Sequence, residues 1–265
     1  MRPNIGEKMT ALITGASGGI GLELARLFAA NGYDLILIAR RAEKLNELKE
    51  ELEGSKEIKV RVLSKDLTSP FSPQEIFDFT KANDISVDVL VNNAGFGDWG
   101  FFAQSKLLKQ REMISLNVTA LTTLTHLFLP QMIERKSGRI LNVASVASFM
   151  PGAKMAVYYA TKAFVRSFSE ALSVELKETK SGVTVTALCP GPVKTEFWER
   201  AESADSSISS HLFFARQDFV ARYAYKSLMA GKVLAIPGFS VRAMVFLTKF
   251  LPRSWVRNMV YMIQK

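Results

Sequence analysis

The chain has 265 residues, of which 48% are hydrophobic and 22% charged, a length and composition that suit one large α/β domain or two small ones with a substantial core. Its net charge of +9 suits anionic ligands such as phosphorylated cofactors, acidic carrier proteins or membrane surfaces, whereas scattered basic residues without zinc or RNA-binding motifs argue against nucleic acid. The single cysteine, Cys189, excludes an internal disulfide and favours a cytoplasmic protein, and His126 and His211 stand too far apart to predict a metal site.

Apolar runs alternate with amphipathic helical patterns along most of the chain. Strands are predicted at Met9–Thr14, Asp34–Ala39, Ile58–Leu63, Val87–Val91, Arg139–Ala144, Val183–Leu188 and Val233–Ile236. Helices are predicted at Gly19–Asn31, Ala42–Glu53, Ser72–Asn83, Gln110–Glu134, Met155–Thr179 and Ala215–Met229. Because the strands are apolar almost throughout, as in sheets covered on both faces, the alternation predicts an α/β fold with a doubly wound, parallel, seven-stranded sheet.

Two regions depart from this alternation. Residues 190–214 are rich in serine and poor in large apolar side chains, which is typical of a lid over an active site. Residues 240–265 are predicted to form an amphipathic C-terminal extension after a single domain over residues 1–239. Because Arg242 and Lys249 interrupt the most apolar region and a strand pattern begins by Met9, neither a membrane-spanning helix nor a signal peptide is predicted.

A glycine-rich segment follows the first predicted strand and opens the first helix. Residues 14–21 read Thr-Gly-Ala-Ser-Gly-Gly-Ile-Gly. Glycines at such a junction permit a tight turn and the close approach of a pyrophosphate to the positive N-terminus of a helix. The segment therefore predicts a dinucleotide site, with a plain strand–helix turn as the alternative.

The second predicted strand ends in two arginines. Arg40 and Arg41 stand where an acidic side chain would bind the ribose 2′-hydroxyl of NAD, and no carboxylate appears before Glu43. Arginine can instead pair with the 2′-phosphate of NADP. The cofactor is therefore predicted to be NADP (NADPH), and the alternative is that both arginines are solvated residues at the start of a helix.

A tyrosine and a lysine lie one helical turn apart in residues 158–162, which read Tyr-Tyr-Ala-Thr-Lys. A phenol exchanges protons poorly near neutrality because its ordinary pKa is about 10. Lys162 lies on the same helical face as Tyr158 and can favour the phenolate, and the hydroxyl of Ser145 can hold a substrate oxygen beside it. The three side chains suit general acid–base chemistry on a carbonyl or an alcohol.

Together these motifs resemble those of the short-chain dehydrogenase/reductase family over residues 9 to 236. The resemblance rests on the Thr-Gly-x-x-x-Gly-x-Gly pattern from Thr14, on Asn-Asn-Ala-Gly at residues 92–95, on Asn117, Ser145, Tyr158 and Lys162, and on Pro190-Gly191 after the sixth strand. It implies a single-domain Rossmann fold and an NADP(H)-dependent enzyme that interconverts carbonyl compounds and alcohols.

The resemblance also implies roles for individual residues. Tyr158 would exchange a proton with the substrate oxygen, Ser145 would hold that oxygen, and Lys162 would lower the Tyr158 pKa and bind the nicotinamide ribose. Asn117 would hold a water molecule that relays protons to Lys162. The implied cofactor-binding residues are Gly15, Ser17, Gly19, Ile20, Gly21, Arg40, Arg41, Asp66, Leu67, Asn93, Ala94, Gly95, Tyr158, Lys162, Pro190, Gly191, Val193 and Thr195, with Asp66 at the adenine.

Apolar residues near the family's substrate loops predict a hydrophobic or lipid-like carbonyl substrate, although such residues also suit core packing. They are Phe96, Trp99, Phe101, Phe102, Phe149, Met150, Phe197 and Trp198. Two alternatives remain open: a 3-oxoacyl-[acyl-carrier-protein] reductase, which the basic charge suits, and a catalytically idle NADP-binding redox sensor. The family implies a homodimer or homotetramer associated through the helices of Asn117 and Tyr158.

Two further patterns remain at this point. Tyr159 stands three residues before Lys162, and we expect it to pack in the fold or face the substrate. The apolar residues of Ser254–Lys265 fall largely on one helical side. They predict a helix packed on the domain or at a subunit interface, with an interfacial membrane helix or a substrate lid as the alternative.

Overall fold

The seven strands form one parallel sheet. The computed structural model describes residues 8–197 and 214–263, and its strands are β1 Thr10–Thr14, β2 Asp34–Ala39, β3 Val60–Ser64, β4 Val89–Asn92, β5 Gly138–Val143, β6 Val183–Leu188 and β7 Leu234–Ala235. Their spatial order is β3-β2-β1-β4-β5-β6-β7, and neighbouring strands pair in parallel. The winding reverses between β1 and β4, which confirms the predicted doubly wound sheet. Ligands of such sheets bind at the carboxyl ends of the strands beside this reversal.

Helices cover both faces of the sheet. They are α1 Gly19–Ala30, α2 Ala42–Ser55, α3 Ser72–Ala82, α4 Leu107–Ile114, α5 Leu121–Glu134, α6 Ala156–Glu178, α7 Gln217–Met229, α8 Phe239–Thr248 and α9 Arg253–Ile263. Along β1, Ala11 and Ile13 pack in the core that includes α1, α2 and α7, whereas Leu12 packs in the core that includes α3, α5 and α6. Both faces of the strand are therefore buried, which accounts for its continuous apolar sequence.

The predicted helix Gln110–Glu134 is longer and less regular than expected. The helical run covers Leu107–Glu134 and contains a π-helical segment, Ser115–Ala120, between α4 and α5. By length and composition alone, this run is long and apolar enough to cross a membrane. Because Leu124 and Phe128 of α5 are buried in the core beside the sheet, core packing explains the apolar character of the helix.

Strand ends differ from the prediction by one or two residues. β3 starts at Val60 instead of Ile58, because the amide of Ile58 donates to the carbonyl oxygen of Lys56 at 2.8 Å and bends the chain before the strand. β7 contains only Leu234–Ala235, because only these two residues pair with β6. These shifts leave the topology unchanged.

The C-terminal residues form two short helices, α8 and α9, with Pro252 between them. Val245 on α8 and Val256 and Val260 on α9 are buried, so a narrow apolar face holds each helix on the rest of the chain. The predicted helix near the C-terminus is present as α9, and its packing on the domain or at a subunit interface stays a prediction. Most of the other large apolar side chains of α8 and α9 are exposed.

Candidate active site

A cavity of about 830 Å³ lies at the carboxyl ends of the strands, beside the reversal between β1 and β4. Its wall contains every residue predicted for catalysis or cofactor binding except Gly21 and Asn117, which lie behind it. A more open depression of about 800 Å³ lies at the amino ends of β2 and β3, beside Asp34 and Lys59, and contains none of the predicted residues. Across residues 8–197 and 214–263, no three His, Cys, Asp or Glu side chains come together as a metal-ion site.

The side chain of Thr14, at the end of β1, joins the two loops that meet at this reversal. Its hydroxyl donates to the Val91 carbonyl oxygen at 3.2 Å and accepts from the amides of Asn93 at 2.9 Å and Ala94 at 3.0 Å. The Asn93 side-chain amide donates in return to the carbonyl oxygens of Thr14 at 2.9 Å and Gly15 at 3.2 Å. The glycine-rich loop and the Asn-Asn-Ala-Gly loop are thus held against each other by paired polar groups.

Two glycines serve this close contact in different ways. Gly15 has a φ of +67°, in the left-handed region that favours glycine. A side chain at Gly21 would collide with the Gly15 carbonyl oxygen and lie 2.5 Å from Asn93 Nδ2. Gly21 itself does not line the cavity, and its lack of a side chain lets α1 begin directly against the loop.

The second arginine of the Arg40-Arg41 pair faces the glycine-rich loop. Arg41 Nη2 lies 3.2 Å from both the carbonyl oxygen and the hydroxyl of Ser17, and Nη1 lies 2.9 Å from a carboxylate oxygen of Glu196. Lys44 also donates to Glu196, at 3.1 Å. Burial opposes ionisation of this carboxylate, but Lys44 and Arg41 outweigh it and hold the Glu196 pKa below its usual value. Arg41 Nε is buried without a hydrogen-bond partner among the described residues.

Arg40 and Asp66 lie farther out on the same wall. The Arg40 side chain is mostly exposed, and its Nη1 is 3.9 Å from Asp66 Oδ2. Asp66 Oδ1 accepts from the amide and the hydroxyl of Thr68, both at 2.9 Å, so this carboxylate also closes a local turn. Arg40 therefore stands at the cavity rim with its guanidinium only loosely paired.

Asn117 lies in the π-helical segment, and its buried amide connects three parts of the site. Its Nδ2 donates to the Phe96 carbonyl oxygen at 3.0 Å and to the Thr161 hydroxyl at 3.1 Å, while its Oδ1 accepts from the Phe96 amide at 3.1 Å. A side chain at Gly95 would lie 2.9 Å from Asn117 Oδ1 and 3.4 Å from Lys162 Nζ. The absence of a side chain at Gly95 thus allows Asn117 and Lys162 to approach each other, and π-helical insertions frequently occur at such functional positions.

Ser145, Tyr158 and Lys162 come together on the cavity wall as predicted. Ser145 precedes a short 3₁₀ turn at Val146–Phe149 and accepts from the Ala147 amide at 3.1 Å, which orients its hydroxyl. Tyr158 and Lys162 lie on successive turns of α6, with Lys162 Nζ 5.8 Å from the centre of the Tyr158 ring. Lys162 Nζ donates to the Val143 carbonyl oxygen at 2.7 Å.

The environment shifts the ionisation of Tyr158 and Lys162 in opposite directions. Tyr158 is half-buried because part of its ring faces the cavity, and desolvation by its neighbours raises the phenol pKa above its ordinary value although a hydrogen bond with Ser145 lowers it. Burial also lowers the pKa of the Lys162 ammonium to about 8. Burial is the largest influence on the Tyr158 pKa in this structure, and a lowering of that pKa by Lys162 stays a prediction.

Aromatic side chains form the cavity wall beside Tyr158. The Phe197 ring centre lies 5.3 Å from that of Tyr158, and the Tyr159 ring centre lies 6.1 Å from it. The Tyr159 ring also packs directly over Gly152, where a side chain would collide with it. Tyr159 therefore both packs in the fold and contributes to the cavity wall.

The predicted substrate-facing residues separate into three groups. Phe96, Trp99, Met150 and Phe197 line the cavity. Phe101, Phe102 and Phe149 do not, because the first two are exposed at the surface and the third packs against the core on the far side of the wall. Trp198, with residues 198–213 of the predicted lid, lies outside the described residues.

Sequence reasoning missed three contributors to the site. Glu196 binds both Arg41 and Lys44, Thr161 holds the Asn117 amide, and Val143 provides the carbonyl partner of Lys162. Thr161 carried a usable signal because it lies next to Lys162 on the same helix. Glu196 and Val143 carried no such signal, since their contacts join different segments of the chain.

Comparisons with known proteins agree with this arrangement. The family model described as short chain dehydrogenase matches residues 9–206. Sulfoacetaldehyde reductase 2 of Chromohalobacter salexigens is 39% identical over 204 residues, which are 76% of this chain and 79% of that protein.

Two solved structures extend the similarity over nearly the whole fold. A short-chain dehydrogenase from Sphingobium yanoikuyae in complex with NADPH superposes with a TM-score of 0.81 at 32% identity, covering 92% of this chain and 96% of that one. The bulky-bulky ketone specific alcohol dehydrogenase from Comamonas testosteroni gives 0.76 at 28% identity, covering 93% and 96%. The chain therefore belongs to the short-chain dehydrogenase/reductase family, whose members are nicotinamide-nucleotide-dependent oxidoreductases that act on small molecules.

Proposed function

We propose that this chain uses NADP(H) to interconvert a hydrophobic ketone or aldehyde and the corresponding alcohol. The observation that carries the proposal is that Ser145, Tyr158 and Lys162 line the same cavity as the glycine-rich loop at the start of α1. A proton donor and a nucleotide site in one cavity are what a carbonyl reductase requires. The three side chains together also speak against a catalytically idle nucleotide sensor.

The cavity fits a dinucleotide phosphate. Gly15 has a left-handed backbone at the start of the loop, and α1 directs its positive N-terminus towards that loop. Ser17, Arg40 and Arg41 would hold the 2′-phosphate of NADP. The buried Arg41 Nε has no partner among the described residues and supports an anion at this point.

The remaining predicted cofactor contacts keep their proposed places along the cavity. Asp66 and Leu67 would bind the adenine end, and residues 93–95 would line the middle of the cofactor. At the nicotinamide end the proposed contacts are Pro190, Gly191, Val193, Thr195, Tyr158 and Lys162.

Proton transfer is proposed to run through Tyr158. A bound nicotinamide supplies or accepts the hydride at the substrate carbon. The raised pKa keeps the Tyr158 phenol protonated at neutral pH, so in reduction it can donate to the alkoxide that forms, while Ser145 holds the same oxygen. Lys162 would hold the nicotinamide ribose, with Asn117 and Thr161 behind it as positioning residues.

An apolar wall supports a hydrophobic substrate. Phe96, Trp99, Met150 and Phe197 face the cavity near Tyr158. Such side chains stabilise an apolar ligand by removing its surface from water. The relative from Comamonas testosteroni, an alcohol dehydrogenase named for bulky ketones, supports the same substrate class.

Three broader properties belong to the proposal. Residues 1–239 would form the nucleotide-binding and catalytic domain, followed by residues 240–265 as an extension. The protein would be cytoplasmic, as a single buried cysteine favours. It would assemble as a homodimer or homotetramer through the helices that carry Asn117 and Tyr158, as the family resemblance implies.

Arg41→Ala and Arg40→Ala test the choice of cofactor. Hydrogen bonds to a charged group contribute about 1.5–3 kcal/mol, so we expect each change to raise the KM for NADPH roughly tenfold or more and leave the KM for NADH unchanged. Lys49→Ala is the matched control, because Lys49 is a basic residue of α2 outside the cavity. Equal losses with NADPH and NADH in the arginine variants would refute a 2′-phosphate site here.

Tyr158→Phe and Tyr159→Phe test the identity of the proton donor. Loss of a general acid typically costs on the order of 10² to 10⁴ in rate, so Tyr158→Phe should lower kcat at least about a hundredfold, whereas Tyr159→Phe should retain most of the activity. NADPH binding, followed by cofactor fluorescence, should persist in both variants. The opposite pattern of kcat values would transfer the proposed role to Tyr159.

The pH dependence of reduction tests the role of Lys162. Because the Lys162 pKa is about 8, its ammonium is charged below that pH and loses its proton above it. The Tyr158 phenol stays protonated on both sides of that pH, since its pKa is raised. We therefore expect kcat/KM for NADPH, which reports ionisations of the free enzyme, to be level from neutral pH to about 8 and to fall above it. A value that rises through this region would contradict a requirement for the charged lysine.

A further inference from the structure

The last two helices and the residues between them expose several large apolar side chains. We define the tail surface as Phe239, Phe246, Leu247 and Phe250 of the α8 region with Trp255 and Met262 of α9. Phe239 is 81% exposed, Phe250 71% and Met262 74%. Exposed apolar groups that cluster in this way mark an interaction site more often than an isolated apolar residue does.

Helical spacing separates these side chains from those that hold the helices in place. Phe239 and Phe246 are seven residues apart and share one side of α8, and the Phe250 ring, just beyond the helix, lies 5.1 Å from the Phe246 ring between their centres. On α9, Trp255 and Met262 share a side, whereas the buried Val256 and Val260 occupy another. Packing on the domain thus accounts for the valines and leaves the tail surface uncovered.

The charge around the tail surface has one sign. Arg242 on α8, Lys249 directly after it, and Arg253 and Arg257 on α9 are all exposed. The sequence contains no Asp or Glu after Asp218. Two copies of this face placed together would oppose positive charges, whereas a surface of negative charge would complement them.

The dimensions of the helices favour a location along an interface instead of across a bilayer. A spanning helix needs about 20 apolar residues. α8 has 10 residues and α9 has 11, and Pro252 lies between them. Short helices with aromatic and methionine residues on one side and Arg or Lys beside them suit the boundary between headgroups and acyl chains.

Helix α8, which carries part of the tail surface, adjoins the cavity wall. α8 contacts the turn Val146–Phe149, which directly follows Ser145. A side chain at Gly191, which lines the cavity, would lie 3.3 Å from Cγ2 of Val241 on α8. Only the thickness of α8 therefore separates its exposed side from the cavity wall.

We propose that the tail surface docks on a lipid membrane with anionic headgroups, and that the enzyme takes its hydrophobic carbonyl substrate from that lipid phase. The aromatic side chains enter the headgroup boundary, and the surrounding arginines and lysine bind phosphate groups. The statement about the substrate rests on the proposed function, whereas the statement about docking does not.

Sedimentation of the full chain with vesicles tests the docking. We expect binding to phosphatidylcholine vesicles that contain phosphatidylglycerol, weaker binding to pure phosphatidylcholine, and a loss of binding as salt is raised. Burial of one phenylalanine side chain contributes enough free energy of binding that Phe250→Ser should weaken vesicle binding roughly tenfold or more. Phe71→Ser is the matched control, because Phe71 is equally exposed, at 71%, but lies on α3's N-terminal side away from the tail.

Two results would overturn the docking. One is the absence of binding to anionic vesicles by the intact protein. The other is that analytical ultracentrifugation finds an oligomer that Phe250→Ser dissociates, while the intact protein binds no vesicles. That result would assign the tail surface to a second copy of the chain.

Activity measurements separate the docking from the proposed function. Phe250→Ser should reduce a water-soluble ketone at the wild-type rate and reduce a ketone dissolved in anionic vesicles roughly tenfold more slowly, in line with its weaker binding. Reduction of the soluble ketone without vesicle binding would refute docking and leave the function intact. Vesicle binding without reduction of any ketone would refute the function and leave docking intact. Equal rates of Phe250→Ser and wild type on the vesicle ketone would refute delivery from the lipid phase.

Discussion

The hydroxyl of Thr14 lies where the winding of the sheet reverses, and the shape of the cavity depends on it. It bonds the end of β4 and the first two residues beyond it, while Asn93 returns hydrogen bonds to the glycine-rich loop. Thr14 is only 2% exposed, so these bonds are made away from water, where an unmade bond would leave a buried amide unsatisfied. The glycine-rich loop and the Asn-Asn-Ala-Gly loop are therefore positioned from one point of the sheet.

Burial then sets the chemistry that the site can perform. It keeps the Tyr158 phenol protonated and lowers the Lys162 pKa towards neutrality, so the two groups differ in charge at physiological pH. Carbonyl reduction needs a protonated acid beside the substrate and a cation that can hold the cofactor. The network from Asn117 through Thr161 fixes the helix that carries both groups.

Local sequence signals predicted the sheet and most of the cavity wall, because strand apolarity and the spacing of motifs depend on neighbouring residues. The features that the sequence did not predict depend on residues far apart in the chain. Arg41 meets Glu196, which lies 155 residues later, and no pattern near either residue indicates the pair. The tail shows the same limit: periodicity indicated an apolar side on α9, but only the folded chain shows that Val256 is buried while Trp255 is 66% exposed.

In the proposed reaction, hydride passes from the cofactor to a carbonyl carbon while Tyr158 supplies the proton in the same cavity. Transfer of deuterium from NADPH that carries deuterium at both C4 positions to a hydrophobic aryl ketone, followed by mass spectrometry of the alcohol, tests this reaction most directly. The account predicts that the wild-type protein places deuterium on the carbinol carbon and that Tyr158→Phe nearly abolishes the labelled product. Unlabelled alcohol, or equal labelling by both proteins, would contradict it.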